Sequence, residues 1–115
     1  HYVRAVQRVN PDLSLSFLCA IEEGLVLSLG QRLDPKTSLE QGFRHVGERI
    51  GRPEIVVGCD CVLRRLELEH EGLDQSVGAL HARERVVGFS TYGEQYNAIH
   101  VNQTFTGVAL GGGAA

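Results

Sequence analysis

Residues 88–107 read GFSTYGEQYNAIHVNQTFTG, and their reading decides how the chain closes its fold. Val86, Val87, Gly88 and Phe89 form an apolar run with the length and composition of a strand. The run gives way to Ser90, Thr91, Tyr92, Glu94, Gln95, Tyr96, Asn97, His100, Asn102 and Gln103, the densest set of hydrogen-bonding side chains in the sequence. Residues 104–110 then resume a strand-like pattern. Two strands joined by a long polar connection are predicted, and long structured connections tend to carry function.

Upstream, residues 62–85 place Leu66, Leu73, Val77 and Leu80 at helical spacing. Gly72 interrupts the pattern, so one kinked helix or two short ones are expected, with Asp74 as cap of the second piece. Ile55, Val56, Val57 and Gly58 form a short unbroken apolar run, as a central strand buried on both faces would. Leu39, Phe43, Val46 and Ile50 are spaced four, three and four apart, one stripe of an amphipathic helix. Capping boxes at Ser38/Gln41 and Thr37/Glu40, or Asp34-Pro35, would start it, and Gly51 with Pro53 would stop it.

The first thirty residues alternate instead. Val3, Ala5, Gln7 and Val9 share one face of a strand, and Asn10-Pro11-Asp12 signals a turn. Leu13, Leu15, Phe17, Cys19 and Ile21 repeat with period two, and Glu23-Gly24 turns into a third strand over residues 25–29. The predicted order is βββ-α-β-α-β-β, an α+β fold whose mixed, largely antiparallel sheet is covered by two helices.

A chain of 115 residues makes one domain, here residues 1–115. The opening strand pattern and the terminal GGGAA read as a domain cut from a longer protein. Apolar content of 43% and charged content of 22% are those of an ordinary globular protein. No apolar run approaches the length of about 20 residues that spans a bilayer, and no secretory signal is visible. Net charge is −3 with the basic residues scattered, which argues against a nucleic-acid binder. Cys19, Cys59 and Cys61 form an odd set without disulfide-framework spacing, which fits a reducing compartment and a cytoplasmic location.

Three motifs carry a family resemblance. A buried strand runs into Cys61-Val62-Leu63-Arg64, a second runs into Thr91-Tyr92-Gly93-Glu94, and Asn102-Gln103-Thr104 opens the last one. With the opening Tyr2-Val3-Arg4-Ala5, this sequence resembles the C-terminal half of the FIST proteins over nearly its whole length. The resemblance implies a bacterial sensory domain that binds a small ligand, an amino acid being one proposed class. It implies partners such as a histidine kinase or a cyclic-dinucleotide enzyme, and an N-terminal FIST half in the parent chain. It also implies a possible haem, since a subset of the family is described as nitric-oxide sensors.

The residues themselves offer chemistry at the tip of the central strand. Arg64 stands where a strand ends and a helix begins, a common place for ligands, and its guanidinium suits a carboxylate. That carboxylate would be a ligand's or one of the chain's own, Glu94 being the candidate. Cys59 and Cys61 share a strand face, but one C-x-C without further ligands does not define a zinc site. Cys61 is a buried apolar thiol or, if activated by His100 or Arg64, a nucleophile. Gly93 permits a sharp turn that would set Tyr92 and Glu94 on one rim. His100 is the histidine of the polar connection and the candidate haem ligand. Asn102, with Gln103 and Thr104, would hold the connection closed through side-chain bonds.

The expected ligand site therefore comprises Cys61, Arg64, Tyr92, Glu94, Tyr96, His100 and Asn102. Arg64 and Glu94 would grip a zwitterion such as an amino acid while Tyr92 and Tyr96 cover its apolar part. Alternatives from other classes are a haem-based nitric-oxide sensor, a Cys61-dependent enzyme, and an interaction module with no pocket.

Overall fold

The computed structural model describes residues 2–111; His1 and residues 112–115, which include most of the terminal GGGAA, lie outside the described residues. The opening alternation forms a hairpin of two short antiparallel strands, β1 (Val6–Val9) and β2 (Leu15–Phe17). Its turn is built as the Asn-Pro-Asp signal requires. The Asn10 amide donates to the Ser14 carbonyl at 2.8 Å, and the Asp12 carboxylate accepts from the Ser14 amide at 3.0 Å.

The third strand expected over residues 25–29 does not form. Gly24 turns the chain with a φ of 84°, as the Glu23-Gly24 pair suggested. The residues beyond it meet no partner strand, and Val26 and Leu29 stand in solvent. Alternation supplies two faces, but a strand also needs an edge to pair with.

Helix α1 (Pro35–Ile50) starts at Asp34, whose carboxylate accepts the Thr37 amide at 2.7 Å, with Pro35 in the first turn. The boxes at Thr37 and Ser38 fall inside the helix, because proline's preset φ begins it earlier. Gly51, with a φ of 73°, ends it. Strand β3 (Pro53–Cys61) runs directly into α2 (Val62–His70), and α3 (Asp74–Arg83) follows. Gly72 adopts a φ of 67° and separates two helices rather than kinking one. Asp74 is the first residue of α3 and makes no cap bond. Among the described residues the order thus corrects to ββ-α-β-α-α-β-β-β-β, with three helices instead of two.

The polar connection is itself structured. After β4 (Val86–Thr91) come two short strands, β5 (Glu94–Tyr96) and β6 (Ile99–Val101), before β7 (Phe105–Gly111). β5 and β6 form an antiparallel hairpin turned by Asn97 and Ala98, with φ values of 50° and 61°. Two consecutive left-handed residues give the turn a twist that suits a two-residue hairpin.

The fold is α+β, and the described residues form three separate sheets in place of one continuous sheet. The central one has the order β4-β3-β7, with β3 parallel to β4 and antiparallel to β7. Its period-two alternation sends Val56, Gly58 and Asp60 toward the helices and Ile55, Val57 and Cys59 away from them. Leu39, Leu68, Val77 and Leu80 form the buried cluster on the helix side, joined by Phe43, Leu73 and Phe105. Gly58 lies beneath Phe105: a Cβ there would come within 2.5 Å of the ring. The expectation that the central strand is buried on both faces fails on the other side, where Val57 is exposed. No helix of the described residues is long and apolar enough to cross a membrane.

Candidate functional site

Arg64 sits in the first turn of α2, and helical side chains lean back toward the N-terminus. Its Nε therefore reaches Asp60 near the end of β3, donating to Oδ1 at 2.8 Å. Arg64 is only 9% exposed, and its Nη2 is buried without a hydrogen-bond partner. The intramolecular partner is thus Asp60, not Glu94. Asp60 feels opposing effects: burial raises its pKa, and Arg64 lowers it by less, so the carboxyl lies above its ordinary value.

His81 belongs to the same neighbourhood, although sequence spacing shows it no partner. Its ring stacks on Phe105 at a centroid distance of 5.3 Å and meets Phe43 edge-on at 6.3 Å. Burial depresses its pKa below 6.5, and the opposing pull of Asp60 is smaller. Burial therefore favours the uncharged imidazole, whose buried Nε2 lacks a partner. Asp60 and His81 were both missed by sequence reading. The signal for Asp60 was its place two residues after Gly58 and four before Arg64. For His81 it was adjacency to the Val77–Leu80 stripe.

Glu94 does different work. It is 3% exposed and accepts hydrogen bonds from the hydroxyls of Thr91 and Thr104, joining the end of β4 to the start of β7. The Cys61 amide donates to the Thr104 carbonyl at 3.1 Å, so β3 is tied into the same knot. Cys61 itself is fully buried at 0% exposure, where a dissolved electrophile does not reach its sulfur. Asn102, 1% exposed, is packed beside this knot, with its Oδ1 unpartnered.

The three remaining predicted residues face elsewhere. Tyr92 is 92% exposed, and Tyr96 also projects into solvent. Gly93, with a φ of 149°, places Tyr92 outside and Glu94 inside, so the two do not share a rim. His100 is on the exposed hairpin, with Nε2 packed where a Cβ of Gly93 would stand. Its carbonyl accepts from Arg4 at 2.8 Å. Among the described residues, no cluster of three or more His, Cys, Asp or Glu side chains is arranged to hold a metal.

A groove of about 410 Å³ opens on the helix side of the sheet, between α1 and β7. Leu39, Phe43, Val46, Val56, Phe105 and Ala109 make it apolar, and Ser38, Gln103 and Thr104 line it with polar groups. Among the described residues Arg64 is its one charged lining residue, and it is the one member of the predicted set that lines it. Sequence reading aimed at the tip of β3 between Cys61 and Glu94; the groove lies beside that position, on the α1 face.

A family model of the FIST C domain matches residues 1–97. The chain belongs to the FIST C-domain family. FIST C domains are sensory modules of signal transduction, so the chain's class is that of a sensor. The match takes in Arg64, Asp60, His81 and Glu94, whereas Asn102, Gln103 and Thr104 lie beyond it. Neither a comparison with curated proteins nor one with solved structures finds a match.

Proposed function

We propose that this FIST C domain binds a small molecule in the groove between α1 and β7 and thereby regulates a partner signalling protein. The observation that carries the reading is the lining itself: an apolar trough with a single charged residue, Arg64, whose Nη2 has no partner. Few polar groups on an apolar wall are what small-ligand sites commonly show. An amino acid would find a partner for its carboxylate in Arg64. Glu94, engaged by Thr91 and Thr104, does not line the groove to receive its ammonium group.

The signal would arise through differential binding. A ligand touching Phe43 on α1, Arg64 on α2 and Thr104 before β7 favours the arrangement in which these elements close together. A histidine kinase, a cyclic-dinucleotide enzyme or an N-terminal FIST half would read that change. The test is a melting-temperature screen against a collection of metabolites that includes the amino acids. At least one class should raise the midpoint in a concentration-dependent way. A collection that leaves the midpoint unchanged throughout sinks the reading.

A further inference from the structure

We infer that the ligand class of this groove is an apolar monocarboxylate, an aliphatic or aromatic acid without an ammonium group; this rests on the sensory reading above. The wall chemistry points there first. Leu39, Phe43, Val46 and Phe105 present hydrocarbon and ring surface, and among the described residues no acidic one lines the groove. A zwitterion would bury its cationic end against this surface uncompensated, which is costly.

The anionic end is matched by Arg64. Its Nε is already held by Asp60 at 2.8 Å, which orients the guanidinium, while Nη2 is buried without an acceptor. A buried donor left unpaired is costly, and a carboxylate oxygen is the acceptor that returns most. Gln103 and Thr104 line the same groove, but the Gln103 amide already donates to Glu67 and the Thr104 hydroxyl to Glu94, so the Arg64 Nη2 is the donor left without an acceptor. Among the described residues Arg64 is the one cation lining the groove, so it matches one carboxylate, and a second would go unpaired against the apolar wall.

Gly42 provides a clean probe. It lies in α1 and lines the groove, and a Cβ there would meet nothing within 4 Å. Gly42→Leu therefore adds hydrocarbon to the groove wall from a position whose Cβ meets no neighbour, and it keeps a good helix former in α1. The experiment titrates the chain with octanoate, 1-octanol and L-phenylalanine, read by amide chemical shifts. Octanoate should bind at least tenfold more tightly than 1-octanol, and L-phenylalanine more weakly than octanoate. Arg64→Gln should erase the preference of octanoate over octanol, and Gly42→Leu should abolish binding of both while leaving the spectrum dispersed.

Equal binding of octanoate and octanol overturns the inference, as does octanoate binding that survives Gly42→Leu. Binding of L-phenylalanine that exceeds octanoate and is lost in Gly42→Leu overturns the acid class but leaves the sensory groove standing. Failure of all three probes overturns the acid class too, and the metabolite screen then decides separately whether the groove binds anything. Should Arg64→Gln lose its dispersed spectrum, Arg64→Lys replaces it, and a weakened preference for octanoate is then expected.

Discussion

The two faces of the β4-β3-β7 sheet are made by the same strands and have opposite fates. On one face Val56 is buried, and Phe105 closes over Gly58 against Leu39, Leu68, Val77 and Leu80. On the other, Phe89 is 66% and Val108 60% exposed, with Val57 and Val87 beside them. Both faces are apolar in sequence, so hydrophobicity alone does not tell them apart. What differs is whether an element returns over the face. The helices pack on one side, and every titratable group with a shifted pKa in the sheet's neighbourhood, Asp60 and His81, is on that side.

The largest effect that tests this contrast is loss of core volume. Leu80→Ala should destabilise the chain by about 2–5 kcal/mol in denaturant unfolding, whereas Val108→Ala should stay within about 0.5 kcal/mol. Equal costs would mean that the open face is covered in solution and would break the comparison.

Next comes the knot at the rim of the sheet. Glu94→Ala leaves the Thr91 and Thr104 hydroxyls without their shared acceptor and should cost about 1.5–3 kcal/mol. Hydrogen exchange at the start of β7 should accelerate with it. A Glu94→Ala chain as stable as the parent would show that the knot holds nothing.

A smaller effect has the opposite sign. Gly42→Ala in α1 removes the backbone freedom of a helical glycine and meets no neighbour, so it should stabilise by about 0.5–1 kcal/mol. A loss instead would place something in the groove that the helix side accommodates only through the missing side chain.

The smallest expected effect is in pH dependence. The folded pKa of His81 is depressed below 6.5, so its contribution to stability is present above that pH and lost as pH falls through the folded value. The melting midpoint should decline on acidification below pH 6.5, and His81→Phe should flatten that decline. Asp60 carries the reverse sign. Its folded pKa is raised above 3.8, so its contribution is present below 3.8 and lost as pH rises through the folded value. Asp60→Asn should remove that second slope and, by taking away the pull of Asp60 on the imidazole, deepen the His81 depression.

The family was legible because its motifs are local: Cys61-Val62-Leu63-Arg64 and Thr91-Tyr92-Gly93-Glu94 are each read from a few adjacent residues. The helices were legible because Leu39, Phe43, Val46 and Ile50 mark one stripe and Gly51 and Gly72 mark the ends. Arg64 was legible as a candidate because strand-to-helix junctions are short-range features. The partner of Arg64 had a local signal, Asp60 four residues before it, but sequence reading favoured Glu94, thirty residues on, because both stand in family motifs. His81 was invisible because its neighbours, Phe43 and Phe105, are distant in sequence.

By itself, then, the order of residues determined the first hairpin, α1, the central strand, the family and the charge at the strand's tip, because periodicity, caps and turns act within a few residues. The third strand over residues 25–29 failed, Glu94 became an anchor, and the groove opened beside α1 for reasons that no local pattern carries. Each depends on which surface meets which across the sheet, and that pairing exists only once the chain has folded.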